Sequence, residues 1–166
     1  MRSPASTSWS SFEPASSVTA APYDLERFVT AQDAGGAYAS ALAELRAGRK
    51  TGHWMWFVFP QIAGLGLSET SRRYAISSID EARAYLAHPI LGKRIEECAR
   101  TLTELTGESA RDIFGPVDAT KLRSSMTLFA RAAPGNALFQ DVLDRYFDGH
   151  ADAATDDRLR STRREG

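Results

Sequence analysis

The sequence predicts an all-α fold: a compact, multihelical single domain with short connecting loops. Apolar residues recur at spacings of three and four through most of the chain, and residues that begin or end helices flank these runs. No segment shows sustained alternation of apolar and polar residues, so the pattern does not favour strands. The 166 residues, 43% of them hydrophobic and 25% charged, are enough to bury one continuous core.

The first half of the chain is predicted to form a series of helices joined by short breaks. The first two end at glycines, the second of them at Gly48. Ser68 can cap a short third helix, and Ser78 with Glu81 fits a capping box for the fourth. Pro89 ends that helix and suits the first turn of the next one.

Further helices are predicted in the second half. Ser109 can cap a short helix that ends at Phe114. Asp118 can cap the next helix, which ends before the proline at position 134. Asn136 can cap the last strong helix, which Gly149 closes.

The two ends of the chain differ in composition from the part between them. Residues 1–22 are rich in Ser, Ala, Thr and Pro without a hydrophobic period, which predicts a disordered tail. Residues 23–150 hold the predicted helical domain. Residues 151–166 are predicted to be a loose basic end, because arginines dominate them.

Composition also bears on location and on cofactors. The sequence has no apolar run long enough to span a bilayer and no apolar core of a signal peptide, so we expect a cytoplasmic protein without membrane contact. Cys98 is the only cysteine, so no internal disulfide is expected. Three scattered histidines form no ligand pattern, and neither a metal nor a cofactor is predicted.

The most unusual segment is the aromatic run 53–61. On a helix, Trp54 and Trp56 would point about 200° apart, so a single buried face cannot hold both. Either the run is a core segment buried nearly all round, or part of it lines a cavity. His53 and Gln61 are polar and lie at its ends, where they need partners. His53 is therefore a candidate acid or base, the alternative being a structural histidine.

Two further segments could hold an anion. Lys121, Ser124 and Ser125 share a face near a predicted helix N-terminus, where free N–H groups add to the side chains; Arg123 lies between them. The alternative is a solvated lysine with serines that bond back to their own helix. Residues 64–74 form a glycine-bearing loop that leads into a helix with Arg72 and Tyr74. It lacks the pattern of a P-loop or of a dinucleotide-binding fingerprint, so it is at most a loose phosphate cradle.

Taken together, four segments resemble one protein family. They are residues 53–61, 64–66, 81–89 and 121–129, in this order along the chain. The family is the domain of unknown function 1810, whose bacterial members are often labelled calpastatin. The resemblance extends from about Asp24 to Gly149 and implies a small all-helical domain without an established activity.

The first functional hypothesis is a pocket for a nucleotide-like or phosphorylated small molecule, such as an ADP-ribose derivative. Aromatic side chains would stack on a base, while cations and hydroxyls would hold a phosphate. His53 is the candidate catalytic residue, although the sequence does not decide whether the protein is an enzyme. The candidate ligand-binding residues are Trp54, Trp56, Gln61, Arg72, Tyr74, Lys121, Arg123, Ser124 and Ser125.

Two alternatives remain open at this point. The aromatic run could instead form a surface patch for a protein partner. Weak nucleic-acid binding through Arg72, Arg73, Lys121, Arg123 and the basic end is the least favoured hypothesis. Its weakness is the overall charge, since 20 basic and 21 acidic residues give a net charge of −1.

Overall fold

Helices form the regular structure of residues 23–165, the part of the chain that the computed structural model describes. In chain order they are α1 (Glu26–Asp33), α2 (Ala37–Ala47), α3 (Met55–Val58), α4 (Glu69–Arg73), α5 (Ile79–Ala87), α6 (Leu91–Glu104), α7 (Ala110–Ala132), α8 (Leu138–Phe147) and α9 (Ala153–Glu165), with a 3-10 turn at Ala34–Gly36. The described residues contain no strand, only an isolated parallel bridge between Ile62 and Ile76. The predicted all-α fold is therefore confirmed.

Side-chain caps begin several of these helices. The hydroxyl of Ser78 accepts the Glu81 N–H at the start of α5. The Glu81 carboxylate, however, accepts from the N–H and hydroxyl of Ser77, so only half of the predicted capping box forms. Ser109 and Asp112 form a complete capping box at the start of α7.

Helix α7 consists of two helical segments that meet at Gly115, in agreement with the two helices predicted for this region. At Gly115 the backbone leaves the helical range, with φ 81° and ψ 166°, a conformation that glycine adopts readily. Pro116 then begins a second helical segment, since proline suits a first helical turn. This segment starts two residues before Asp118, the predicted cap, so Lys121 still lies within its first turns.

Aromatic rings in the core hold this second segment in place. The ring centroid of Phe129 lies 5.3 Å from that of Tyr85 and 5.8 Å from that of Phe139. Tyr85 also meets Phe28 edge to face at 5.1 Å. All four residues are fully buried. These buried contacts fix the position of the second segment, and with it the position of the polar side chains of α7 that lie outside the core.

The C-terminal residues differ from the loose basic end predicted for 151–166. They form α9, in which Thr155 and Leu159 are buried. Arg131 of α7 donates two hydrogen bonds to the Asp156 carboxylate, at 2.9 and 3.0 Å. Helix α9 is thus attached to α7 through polar contacts and only a few apolar ones. It therefore needs few apolar residues, and its sequence shows only a weak hydrophobic pattern.

Residues 1–22, for which the sequence predicts a disordered tail, lie outside the described part of the chain. Within residues 23–165, no helix combines the length and the apolar character needed to cross a membrane. The histidines, cysteine and carboxylates described there form no group that could hold a metal ion.

Candidate functional site

Two adjoining cavities open where the segment between α3 and α5 meets α7. The first has a volume of about 120 Å³ and is lined by Trp56, Gln61, Ile62, Ala63, Gly64, Gly66, Ser71, Arg72, Tyr74 and Ala75. The second is wider and more open, about 500 Å³, and is lined by Gln61, Leu65, Pro116, Val117, Thr120, Lys121, Ser124, Asp152 and Ala154. Gln61 lines both cavities, so they lie next to each other at this residue.

Two backbone hydrogen bonds close the loop that surrounds the first cavity. The N–H of Ile76 donates to the carbonyl of Gln61, and the N–H of Ala63 donates to the carbonyl of Ile76, both at 2.8 Å. The glycines inside the loop allow close packing: a Cβ on Gly66 would lie only 2.5 Å from the hydroxyl of Ser71. The glycine loop therefore packs against the start of α4.

The pair of Trp56 and Lys121 joins the two cavities. The ammonium of Lys121 lies 4.7 Å from the centroid of the Trp56 ring. The indole Nε1 of Trp56 is buried and has no acceptor among the described residues. The carboxylate nearest to Lys121 is that of Asp118, at 3.6 Å, and it also pairs with Lys50 at 2.9 Å. Two cations thus share one carboxylate, which leaves positive charge beside the indole.

Three other predicted residues line the first cavity. The Arg72 side chain is exposed and makes no hydrogen bond or ion pair with the side chains described in residues 23–162. The side-chain amide of Gln61 likewise has no partner in this part of the chain. The ring of Tyr74 packs between those of Phe28 and Phe57, with centroids at 5.9 and 5.6 Å. The cavity thus combines a fixed aromatic wall with polar groups that the fold leaves free.

The polar wall of the second cavity is centred on Asp152. Its Oδ2 accepts from the N–H and hydroxyl of Thr155, at 2.9 and 2.6 Å, and so caps α9. The hydroxyl of Ser124 lies 3.1 Å from the same oxygen and 3.2 Å from the carbonyl of Thr120. Oδ1 of Asp152 has no hydrogen-bond partner among the residues described.

Residues of α7 fix the backbone that carries Asp152. Arg123 donates to the carbonyl oxygens of His150 and Ala151, at 2.9 and 3.0 Å. The hydroxyl of Thr127 accepts the N–H of Asp152 at 2.8 Å. The guanidinium of Arg123, predicted to bind a ligand, is thus engaged in holding the segment that precedes α9.

The family model described as "Protein of unknown function (DUF1810)" matches residues 22–159. The chain belongs to the DUF1810 family. The chain is also similar to the conserved hypothetical protein Rv1873 from Mycobacterium tuberculosis, with which it shares 52% sequence identity. Its crystal structure superposes with a TM-score of 0.81, over 84% of this chain and 98% of that one. None of the curated proteins matches. The predicted family is thus confirmed; because its description carries no activity, function rests on the chemistry of the site.

Several residues predicted to act in this DUF1810 chain lie elsewhere. Trp54 is only 3% exposed; its ring packs 6.3 Å from that of Phe59, and its Nε1 donates to Glu44. Ser125 is fully buried, and its hydroxyl has no partner among the described residues. Both residues are buried and line neither cavity, so the fold does not bring Trp54 and Ser125 together with the other predicted ligand-binding residues. The exposed His53, the candidate catalytic residue, does not line either cavity.

Asp152, which lines the second cavity together with the predicted Gln61, Lys121 and Ser124, was not predicted from the sequence. Because α9 has few apolar positions, residues 151–166 were predicted to be a loose end, and Asp152 was not considered as part of a site. One local signal was available: Asp152 precedes Thr155 by three residues, a spacing typical of an N-cap.

Proposed function

We propose that this DUF1810 chain binds a phosphorylated or nucleotide-like small molecule in the two adjoining cavities. The arrangement of Lys121 and Trp56 carries the proposal, because it places an ammonium 4.7 Å from the centre of an indole ring. The indole N–H has no acceptor among the described residues, and a buried donor without a partner costs about 1–3 kcal/mol. An anionic oxygen bound beside Lys121 would offset the charge of its ammonium. Because the Trp56 nitrogen is itself buried, that oxygen would accept the indole N–H only if neighbouring side chains shift to open it.

The charges around the glycine loop support an anion. Arg72 lines the first cavity, and the Nε of Arg158 donates to the carbonyl of Ala63 at 3.2 Å. A Cβ on Gly64 would lie 2.2 Å from the guanidinium of Arg158, so this cation lies directly against the loop. With Lys121, three cations therefore border the loop, and guanidinium and ammonium groups are the side chains that bind phosphate oxygens in proteins.

The dimensions of the site favour a small molecule. Ligand pockets in proteins usually measure roughly 300–1,000 Å³. The first cavity, at about 120 Å³, has room for a phosphate-sized group, and the second, at about 500 Å³, has room for the rest of a ligand. The proposal is one of binding, since His53 does not line these cavities and no other described group there has the geometry of a general acid and base.

A thermal-shift screen tests the proposal. The probes are inorganic phosphate, ribose 5-phosphate, AMP and ADP-ribose, applied to the wild type, Lys121→Ala and the control Lys93→Ala. Lys93 is an exposed lysine on α6 without a polar contact in the described residues. A ligand at 100 times its Kd stabilises the wild type by about 2.7 kcal/mol. We expect this shift to persist in Lys93→Ala and to disappear in Lys121→Ala.

Two results would refute the proposal. One is the absence of stabilisation by every probe, with the wild type folded. The other is a ligand whose shift is the same in Lys121→Ala and in the wild type, because binding would then not involve the Lys121 ammonium.

The alternative of an aromatic interaction patch has less support. Trp54 is buried, and Trp56 is partly buried beside a cavity. The large hydrophobic side chains that are exposed in the described residues are Leu67, Ile90 and Val117, none of which belongs to the aromatic run. The hypothesis of nucleic-acid binding is weakened because Arg123, one of the basic residues predicted to contact nucleic acid, is bonded to backbone carbonyls.

A further inference from the structure

We infer that the second cavity binds the hydroxyl groups of a sugar and that Asp152 is the residue that recognises them. The inference rests on the proposed function, since it specifies the ligand of the same site. It starts from the unequal surroundings of the two carboxylate oxygens. Oδ2 accepts two hydrogen bonds from Thr155 and lies within hydrogen-bond distance of the Ser124 hydroxyl, whereas Oδ1 accepts none from the described residues. Oδ2 alone therefore serves the helix cap, and Asp152 retains a free acceptor at the cavity.

The carboxylate is held more firmly than a helix cap requires. Arg123 binds the two carbonyls that precede Asp152, Thr127 binds its N–H, and Ser124 lies at its Oδ2. All three side chains project from the rigid second segment of α7, which also carries Lys121. Lys121 and Ser124 are three residues apart and therefore share one face of this helix. The acceptor is thus fixed relative to the ammonium that we assign to the phosphate, as preorganised recognition demands.

Oδ1 of Asp152 is open to solvent, and a hydroxyl or an ammonium of a ligand could replace the water that it binds in the free protein. Lys121 lines the same cavity and would repel a second cation, so a hydroxyl is the better match. The neighbouring groups complement a sugar. The Gln61 amide offers both a donor and an acceptor, and the Thr120 hydroxyl donates to the Pro116 carbonyl at 3.1 Å, which leaves its oxygen free to accept. A sugar phosphate would therefore place its phosphate near Trp56 and its hydroxyls at Asp152.

The test compares ligands that differ by one hydroxyl. Dissociation constants are measured by calorimetry for AMP, 2′-deoxy-AMP, 3′-deoxy-AMP and inorganic phosphate, with the wild type and Asp152→Asn. Asparagine is as good an N-cap as aspartate, so one oxygen still serves Thr155 while an NH₂ group replaces the free acceptor. In the wild type we expect AMP to bind at least about tenfold more tightly than one of the deoxy analogues. In Asp152→Asn the ratio should fall to about one, while inorganic phosphate still binds.

The outcomes separate this inference from the proposed function. Equal binding of AMP and both deoxy analogues by the wild type, or an undiminished preference in Asp152→Asn, refutes the sugar assignment and leaves the phosphate site intact. Binding of phosphate without AMP has the same meaning. If neither phosphate nor AMP binds, both proposals fail. Asp152→Ser, which also caps a helix, replaces Asp152→Asn if circular dichroism shows that the latter does not fold.

Discussion

One carboxylate fixes the backbone that leads into the aromatic run, and removing it should destabilise the fold measurably. Oε1 of Glu44 accepts from the N–H groups of Thr51 and Gly52, at 2.8 and 2.9 Å, and from the indole of Trp54 at 2.9 Å. In Glu44→Ala, water can replace the acceptor for the two backbone groups, because they lie near the surface. It cannot readily do so for the indole, since Trp54 is 3% exposed. An unsatisfied buried donor costs about 1–3 kcal/mol, so with the loss of the charged acceptor we expect about 2–3 kcal/mol.

The matched control is Glu44→Gln. All three donors reach the same oxygen, so the carbonyl oxygen of glutamine can accept all three bonds and only the charge is lost. Because charge-assisted hydrogen bonds are roughly twice as strong as neutral ones, we expect a smaller destabilisation, about 1 kcal/mol. Urea denaturation at pH 7, followed by circular dichroism, measures both values. In a chain of this size, 2–3 kcal/mol corresponds to a decrease of about 4–12 °C in Tm. Equal decreases in the free energy of unfolding in Glu44→Ala and Glu44→Gln would refute the view that loss of the Trp54 hydrogen bond causes most of the destabilisation.

The same site makes a pH-dependent prediction. Burial alone would raise the pKa of Glu44, but the hydrogen bonds from Gly52, Thr51 and Trp54 outweigh it and hold the pKa below its ordinary value. A carboxylate with a lowered pKa in the folded state stabilises the protein fully above the unfolded pKa, and this stabilisation is lost as pH falls through the folded pKa. The difference between wild type and Glu44→Gln should therefore be largest at neutral pH and decrease in acid. A difference that stays constant from pH 7 to pH 3 would contradict the charge-based explanation.

Three further predictions concern single positions. Gly92→Ala should cost about 3 kcal/mol in urea denaturation, because the new Cβ would lie 2.1 Å from a backbone carbonyl oxygen of α5; Gly135→Ala, with open space around it, is the control and should be nearly neutral. Gly64→Ala should cost about 1–2 kcal/mol, because φ is +99°, and this cost should persist when Arg158→Ala removes the contacting guanidinium. Burial raises the pKa of Cys98 to about 12, so iodoacetamide at pH 8 should label it only in unfolded protein; rapid labelling of native protein would contradict its burial.

Local sequence signals predicted most helix boundaries but not how helices continue across a break. Serines at 68, 78 and 109 cap helices as expected, because a hydroxyl and the N–H three residues later form a strictly local bond. The sequence predicted a helix that ends at Phe114 and a second one capped by Asp118, yet the second segment follows the break at Gly115 without a loop. Its direction is set by the burial of Phe129 against Tyr85, a contact between residues distant in sequence. The helix α9 was missed for a related reason, since its attachment depends on Arg123 and Arg131 of α7.

The sequence also showed that Trp54 and Trp56 could not share one buried face, without indicating which would be buried. Glu44, ten residues earlier, decides this, because its carboxylate receives the Trp54 indole inside the fold. Trp56 receives no such acceptor from the described residues and instead lies beside Lys121. Which of two neighbouring aromatic residues joins the core thus depends on a partner that periodicity does not reveal.

The same distinction separates predicted binding residues whose polar atoms already have partners in the fold from those whose polar atoms have none among the described residues. A sequence gives the chemical type of a side chain, whereas a site needs groups that the fold leaves without partners. Arg123 and Trp54 have suitable chemistry, but their polar atoms are bonded to backbone carbonyls and to Glu44. The Gln61 amide and Oδ1 of Asp152 have no partner among the side chains described in residues 23–162, and both residues line the second cavity. Folding has already satisfied Arg123 and Trp54, whereas Gln61 and Asp152 face an open cavity, where a ligand can replace the water that they bind in the free protein.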